Sequence, residues 1–175
     1  KMRPYEPLTE RQVSEIHEST LRVLEKVGVD FKYPPALKIL GKGGARVRGE
    51  RVFFPPELVM KMIALAPGSF TLHARNPERD LVIGEHRIAF TPGYGAPFVT
   101  DCKNGRRPGT LEDFENFVKL THASPAQDIC SGMVTEPADV PAHRRQAQTL
   151  FSTMKYSDKC FMGSAYGEKG AKESI

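Results

Sequence analysis

The chain has 175 residues, 39% hydrophobic and 26% charged, with a formal net charge of +4 and a mean hydropathy of -0.39. That is the composition of a soluble chain long enough for one domain or a little more, and no apolar run approaches the ~20 residues a membrane helix needs. The positive charge falls in short clusters (Arg46/Arg48/Arg51, Arg106-Arg107, Arg144-Arg145) without RNA-binding aromatic repeats or zinc-finger spacing, which excludes nucleic acid as a partner and leaves a solvated basic surface.

The opening KMRPYEPLTERQ carries no apolar core of a signal peptide, so a cytoplasmic location is expected. Three cysteines, Cys102, Cys130 and Cys160, lie far apart at no zinc-ligand spacing and are expected to be buried and free. Thr9 and Gln12 form a capping box before apolar residues at helical spacing from Val13 to Val27, and Gly28 suits the helix end. A short helix is predicted over residues 35–40, ending in the Gly41/Gly43/Gly44 cluster. ARVRGERVFF predicts a β-hairpin about Gly49-Glu50, and Pro55-Pro56 opens a helix closed by Pro67-Gly68. SFTLHA and DLVIGEHRIAF predict further strands, the latter folding on itself at Gly84-Glu85.

From Phe90 the rhythm changes. A strand over residues 88–91 runs into Pro92-Gly93-Tyr94-Gly95, and PFVTDCKNGRRPG predicts a hairpin turning at Asn104-Gly105. Thr110 to Asp113 caps a helix with Leu111, Phe114, Phe117, Val118 and Thr121 on one face. The strand DICSGMVTE, a helix over residues 141–156, the strand KCFMGSA and the helical start GEKGAKESI follow. Strand, loop and helix, three times over, predict parallel β/α units. Three units alone leave a parallel sheet uncovered, and a closed eight-unit barrel takes about 250 residues. The expected fold class is therefore α/β. Residues 1–87 form a helix-and-hairpin prelude, and residues 88–175 form the first three units of an incomplete TIM (β/α)8 barrel. The unfinished strand edge should favour self-association, so a homo-oligomer is among the expected partners. A doubly wound sheet is the rival, although no GxGxxG or GxxxxGK[ST] opens a helix.

Barrel chemistry gathers at the C-terminal strand ends. Here these carry Gly93-Tyr94-Gly95, then Glu136, then Tyr166, and the five residues are the candidate substrate-binding set. Each has a structural alternative: a turn aromatic for either tyrosine, a loop cap or arginine partner for Glu136. Among the histidines, His17 reads as solvated, and His73 and His86 as structural. His122 reads as a helix-end group, and His143 is the most interesting because it opens the helix after the second strand. No second ligand stands at metal spacing from it, so no metal site is predicted, and no catalytic nucleophile can be named.

In order, LTERQVSEIHESTLRVLEKVGV, FFPPELV, SFTLHARNPERD, FTPGYGAPFVTD, RRPGTLEDFENFVKL, EPADVPAHRR and SDKCFMGSA resemble the trimethylamine methyltransferase family over nearly the whole chain. The resemblance implies a TIM barrel that moves a methyl group from a methylated amine to the cobalamin of a separate corrinoid protein, with no cofactor held by this chain. In that family the pyrrolysine position lies beyond Ile175. A quaternary ammonium offers no N–H, so aromatic faces and carboxylates must hold it, and Tyr94 between two glycines suits that task. A binding module that holds the amine without turnover, and an inactive structural fragment, stay open beside the enzyme.

Overall fold

The structure is a computed structural model that describes residues 5–85, 87–130, 132–163 and 167–173. The chain is mixed α/β, divides into two compact units at Pro67/Gly68, and closes no barrel among the described residues.

In the first unit, α1 (Glu10–Lys26) starts at the predicted box: Thr9 accepts from the Gln12 amide, and Gln12 accepts from the Thr9 amide at 2.9 Å. After it come β1 (Val29–Asp30), α2 (Pro34–Lys42), β2 (Arg46–Arg48), β3 (Arg51–Phe53) and α3 (Pro56–Ala64). β2 and β3 form the expected hairpin, and β1 adds a third antiparallel strand on the other side of β3. Gly28 has a φ of +72°, and a Cβ there would meet the Val52 carbonyl at 2.6 Å, so this position ends α1 where only glycine fits. Val52 is fully buried.

In the second unit β4 (Ser69–Leu72) pairs antiparallel with β5 (Leu81–Gly84), placing Ser69 opposite Gly84. This corrects the predicted hairpin of DLVIGEHRIAF upon itself. Gly84, at φ +115°, sits so close to the Gly68 carbonyl that a Cβ would collide with it, so the glycine serves the contact with β4. β6 (Phe98–Asp101) and β7 (Gly105–Pro108) form the expected hairpin, with Gly105 at φ +65°. The helix α4 (Leu111–Ala123), the strand β8 (Ile129–Cys130), the helix α5 (Ala142–Tyr156), the strand β9 (Cys160–Phe161) and the helix α6 (Gly167–Glu173) complete the unit. Its core is Phe114, Val118 and Cys130, with Leu111, Tyr156 and Phe161 packed against them.

β8 and β9 are parallel neighbours. The segment before β6 runs parallel to the one after β8: the Gly95 amide donates to Met133 O at 2.6 Å, Ala96 to Val134 O, and Glu136 to Ala96 O. Residues 88–91 nevertheless form no strand. The Phe90 amide donates to the Asp128 carboxylate at 2.8 Å, while Phe90 O accepts from both the Asp128 and Ile129 amides. A side chain has taken the place of a ladder partner there.

α4 carries the second capping box. Thr110 accepts from the Asp113 amide, and Asp113 accepts from the Thr110 amide at 2.9 Å while receiving Arg107 at 2.8 Å. The Arg107 guanidinium, first among the causes, holds the Asp113 carboxyl well below the usual carboxylate range. A depressed folded pKa gives stability that is complete above the unfolded value near 4 and is lost as pH falls through the folded one. Asp113→Asn in the full-length protein should cost about 1–2 kcal/mol at neutral pH. It should also flatten the acid limb of a urea-midpoint curve; an unchanged midpoint at pH 7 would contradict this.

Candidate functional site at the parallel strand ends

Gly93, Tyr94 and Gly95 lie where the chain comes alongside the segment after β8. Gly95 needs its φ of +76°, and a Cβ on either glycine would meet no atom within 4 Å, so both open on free space. Tyr94 is 51% exposed. A Cβ on Gly132 would approach its Cε2 to 2.9 Å and would collide with the Met162 carbonyl oxygen of the next parallel segment. Gly132 is the contact that sequence reasoning passed over, although a glycine inside a strand pattern is a sign of close approach.

Glu136 follows Thr135, which is buried and donates its hydroxyl to Ala96 O at 2.8 Å. Its carboxylate receives Arg145 Nη1 at 3.4 Å, and Arg145 Nη2 donates to Val140 O at 3.2 Å. Met133, Glu136, His143, Arg145 and Lys169 line a cleft of about 340 Å³ at the start of α5. The structure thus joins Glu136 to His143 and to an arginine that the sequence assigned to the solvated basic surface. Tyr94 is not among the residues that line this cleft, so the structure does not join it to Glu136 there. Tyr166 and His86 lie outside the described residues.

Three other histidines lie among the described residues. His17 is exposed on α1, and His73 pairs with Asp80 at 2.7 Å. His122, in the last turn of α4, faces Asp158 at 3.3 Å. Cys130 and Cys160 are free and buried, with burial pushing both thiols up. Cys102 is exposed in the β6–β7 loop, against expectation, because a three-residue hairpin turn has no core beneath it. Among the described residues no three His, Cys, Asp or Glu side chains converge as metal ligands, and no helix is long and apolar enough to cross a membrane.

The sequence profile described as trimethylamine methyltransferase matches residues 1–175. The chain belongs to this family. It is 48% identical over 171 residues to the glycine betaine methyltransferase of Desulfitobacterium hafniense (strain Y51), covering 98% of this chain and 36% of that relative. It is 33% identical over 123 residues to the trimethylamine methyltransferase of Desulfitobacterium hafniense (strain DSM 10664 / DCB-2), covering 69% and 25%. It is 31% identical over 152 residues to the L-carnitine:corrinoid methyltransferase of Eubacterium limosum, covering 84% and 30%. The chain therefore spans about a third of the length of the curated relatives it matches.

Proposed function

We propose that this chain is part of a methyltransferase that moves a methyl group from a methylated, quaternary amine to the cobalamin of a separate corrinoid protein. On this reading residues 88–175 are the first three β/α units of a TIM barrel. The observation that carries the reading is the half-exposed Tyr94 ring held between two open glycines where the chain runs parallel to the segment after β8. Relatives named for glycine betaine and L-carnitine support a quaternary substrate. A corrinoid on the partner would supply the nucleophilic electron pair for the new bond to the methyl carbon, while the carbon–nitrogen bond would break with its pair kept by nitrogen.

The chain's own part is binding and aim. A cation over an aromatic face gains roughly 0.5–2 kcal/mol, the upper end where water is excluded. On this reading the Tyr94 face supplies that attraction, and Glu136, which the structure pairs with Arg145, is the second candidate contact. Gly93 and Gly95 leave room for the approach of a large flat group carried by a partner. Positioning the methyl carbon in line with its acceptor can supply about 7–11 kcal/mol of such a displacement's barrier.

The test is substrate titration and methyl transfer with the full-length enzyme and its corrinoid partner. Tyr94→Ala should weaken amine binding about tenfold and slow transfer further, whereas Tyr94→Phe, which keeps the face, should stay within about twofold of wild type. Failure of the wild type to transfer methyl groups from any quaternary amine would overturn the activity. Normal binding by Tyr94→Ala would leave the tyrosine a turn aromatic.

A further inference from the structure

The three-stranded sheet of the first unit turns one face inward, where Val52 is fully buried opposite Val47. Alternation along a strand puts Arg46 and Arg48 of β2 on the other face, with Arg51 and Phe53 of β3. Arg48 stands directly opposite Arg51, and like charges so placed cost a sheet stability. The chain answers only part of this charge. Asp30 takes Arg51 through two bonds, at 2.7 and 2.8 Å, and Glu50 takes Lys32. Arg46 Nη2 donates one long bond of 3.5 Å to the Glu25 carbonyl. The Arg48 side chain has no hydrogen bond or ion pair among the described residues. Both guanidiniums instead lie over the Phe53 ring, 5.8 and 5.7 Å from its centre. With Glu25 and Lys26 from the end of α1, these three residues line a cleft of about 370 Å³. Its lining sets the cations Lys26, Arg46 and Arg48 against the single carboxylate of Glu25.

We propose that this sheet face docks a carboxylate-bearing patch of a partner protein, with Arg46 and Arg48 as its charged anchors. The partner is the corrinoid protein, so the inference rests on the methyltransferase reading above and adds where that protein is held. Charge complementarity carries the argument. Exposed like charges are brought together at a cost, and carboxylates arriving from a partner turn that cost into attraction. A guanidinium meets a carboxylate through paired, charge-assisted bonds, and arginine and aromatic residues are enriched at protein interfaces. The Phe53 ring holds both guanidiniums in place beforehand, so little side-chain freedom is left to lose on docking.

The experiment measures binding of the corrinoid protein to the full-length enzyme by calorimetry at several salt concentrations. Thermal melts and sedimentation of each variant report folding and oligomeric state. Wild-type affinity should fall as salt rises. Arg46→Glu combined with Arg48→Glu should weaken binding about 10- to 100-fold and flatten that salt dependence. Arg48→Glu alone should weaken binding in the same direction yet melt no lower than wild type, because it sets a carboxylate opposite Arg51. That single variant gives the reading if the double one folds poorly. Methyl transfer from the amine to free reduced cobalamin, which needs no docking, should be the same in wild type and variants. Unchanged binding of the corrinoid protein by the variants would overturn the inference. So would a changed oligomeric state, which assigns the face to a second copy, or salt-sensitive binding of RNA through the same arginines. A wild type that binds the corrinoid protein but transfers no methyl group, even to free cobalamin, supports the surface and overturns the activity instead.

Discussion

Lys159→Met should lower the unfolding free energy of the full-length protein by about 3–5 kcal/mol, read as a shift in urea midpoint at unchanged slope. Lys159 is 4% exposed, and its ammonium donates to Thr121 O at 2.7 Å, Ser124 O at 2.7 Å and Gln127 O at 2.6 Å. Those carbonyls belong to the last turn of α4 and the loop leading to β8, where the helix leaves acceptors unpaired and its dipole favours a cation. All three donors of the ammonium are used. Methionine fills a similar volume but donates nothing, so three carbonyls lose their partner at once. Burial, the largest cause, pulls the Lys159 ammonium below the ordinary lysine value. With the folded pKa below the unfolded one, the unfolded chain binds more protons between the two. Stability of the wild type relative to Lys159→Met should therefore rise as pH climbs through that alkaline window. A midpoint shift equivalent to less than about 1 kcal/mol would show that water replaces the lysine at little cost.

Gly132→Ala should reduce methyl transfer at least tenfold in the full-length enzyme, more than its loss of stability explains. The added Cβ would collide with the Met162 carbonyl oxygen, part of the neighbouring parallel segment, and would meet Tyr94 Cε2 at 2.9 Å. The clash with the carbonyl is relieved only by a shift of the backbone, whereas the contact with the tyrosine is relieved by displacement of its ring. If Tyr94 receives the ammonium, a displacement of about 1 Å misaims the methyl group, and misplacement on that scale costs up to about 100-fold in rate. Tyr94→Ala combined with Gly132→Ala separates the two causes: once the ring is gone, the glycine substitution should add little. Full additivity of the two rate losses would mean that Gly132 acts through the strand pairing alone.

The sequence placed the candidate residues at expected strand ends, and the structure keeps part of that: Glu136 follows β8, while the segment before Tyr94 forms no strand. Gly93, Tyr94, Gly95 and Glu136 follow apolar runs, and the chain does bring the segments holding them side by side. Arg145 was not legible, because in sequence it is one of two adjacent arginines on a charged helix. Only the approach of Glu136 and the burial of Nε distinguish it.

Features closed within a few residues were determined by the sequence alone. The capping boxes at Thr9/Gln12 and Thr110/Asp113, the hairpin about Gly49-Glu50 and the turn ending at Gly105 each satisfy their hydrogen bonds locally, so the residue types suffice. Choices among distant partners were decided by tertiary structure. β5 had strand-like neighbours on both sides and took β4, because Gly84 permits the close approach to Gly68. Asp128 displaced a strand partner at Phe90, since a carboxylate can accept from a backbone amide where the ladder does not reach. Lys159 became a cap for a helix that ended 36 positions earlier at Ala123, a role set by burial and by carbonyls that no local pattern announces.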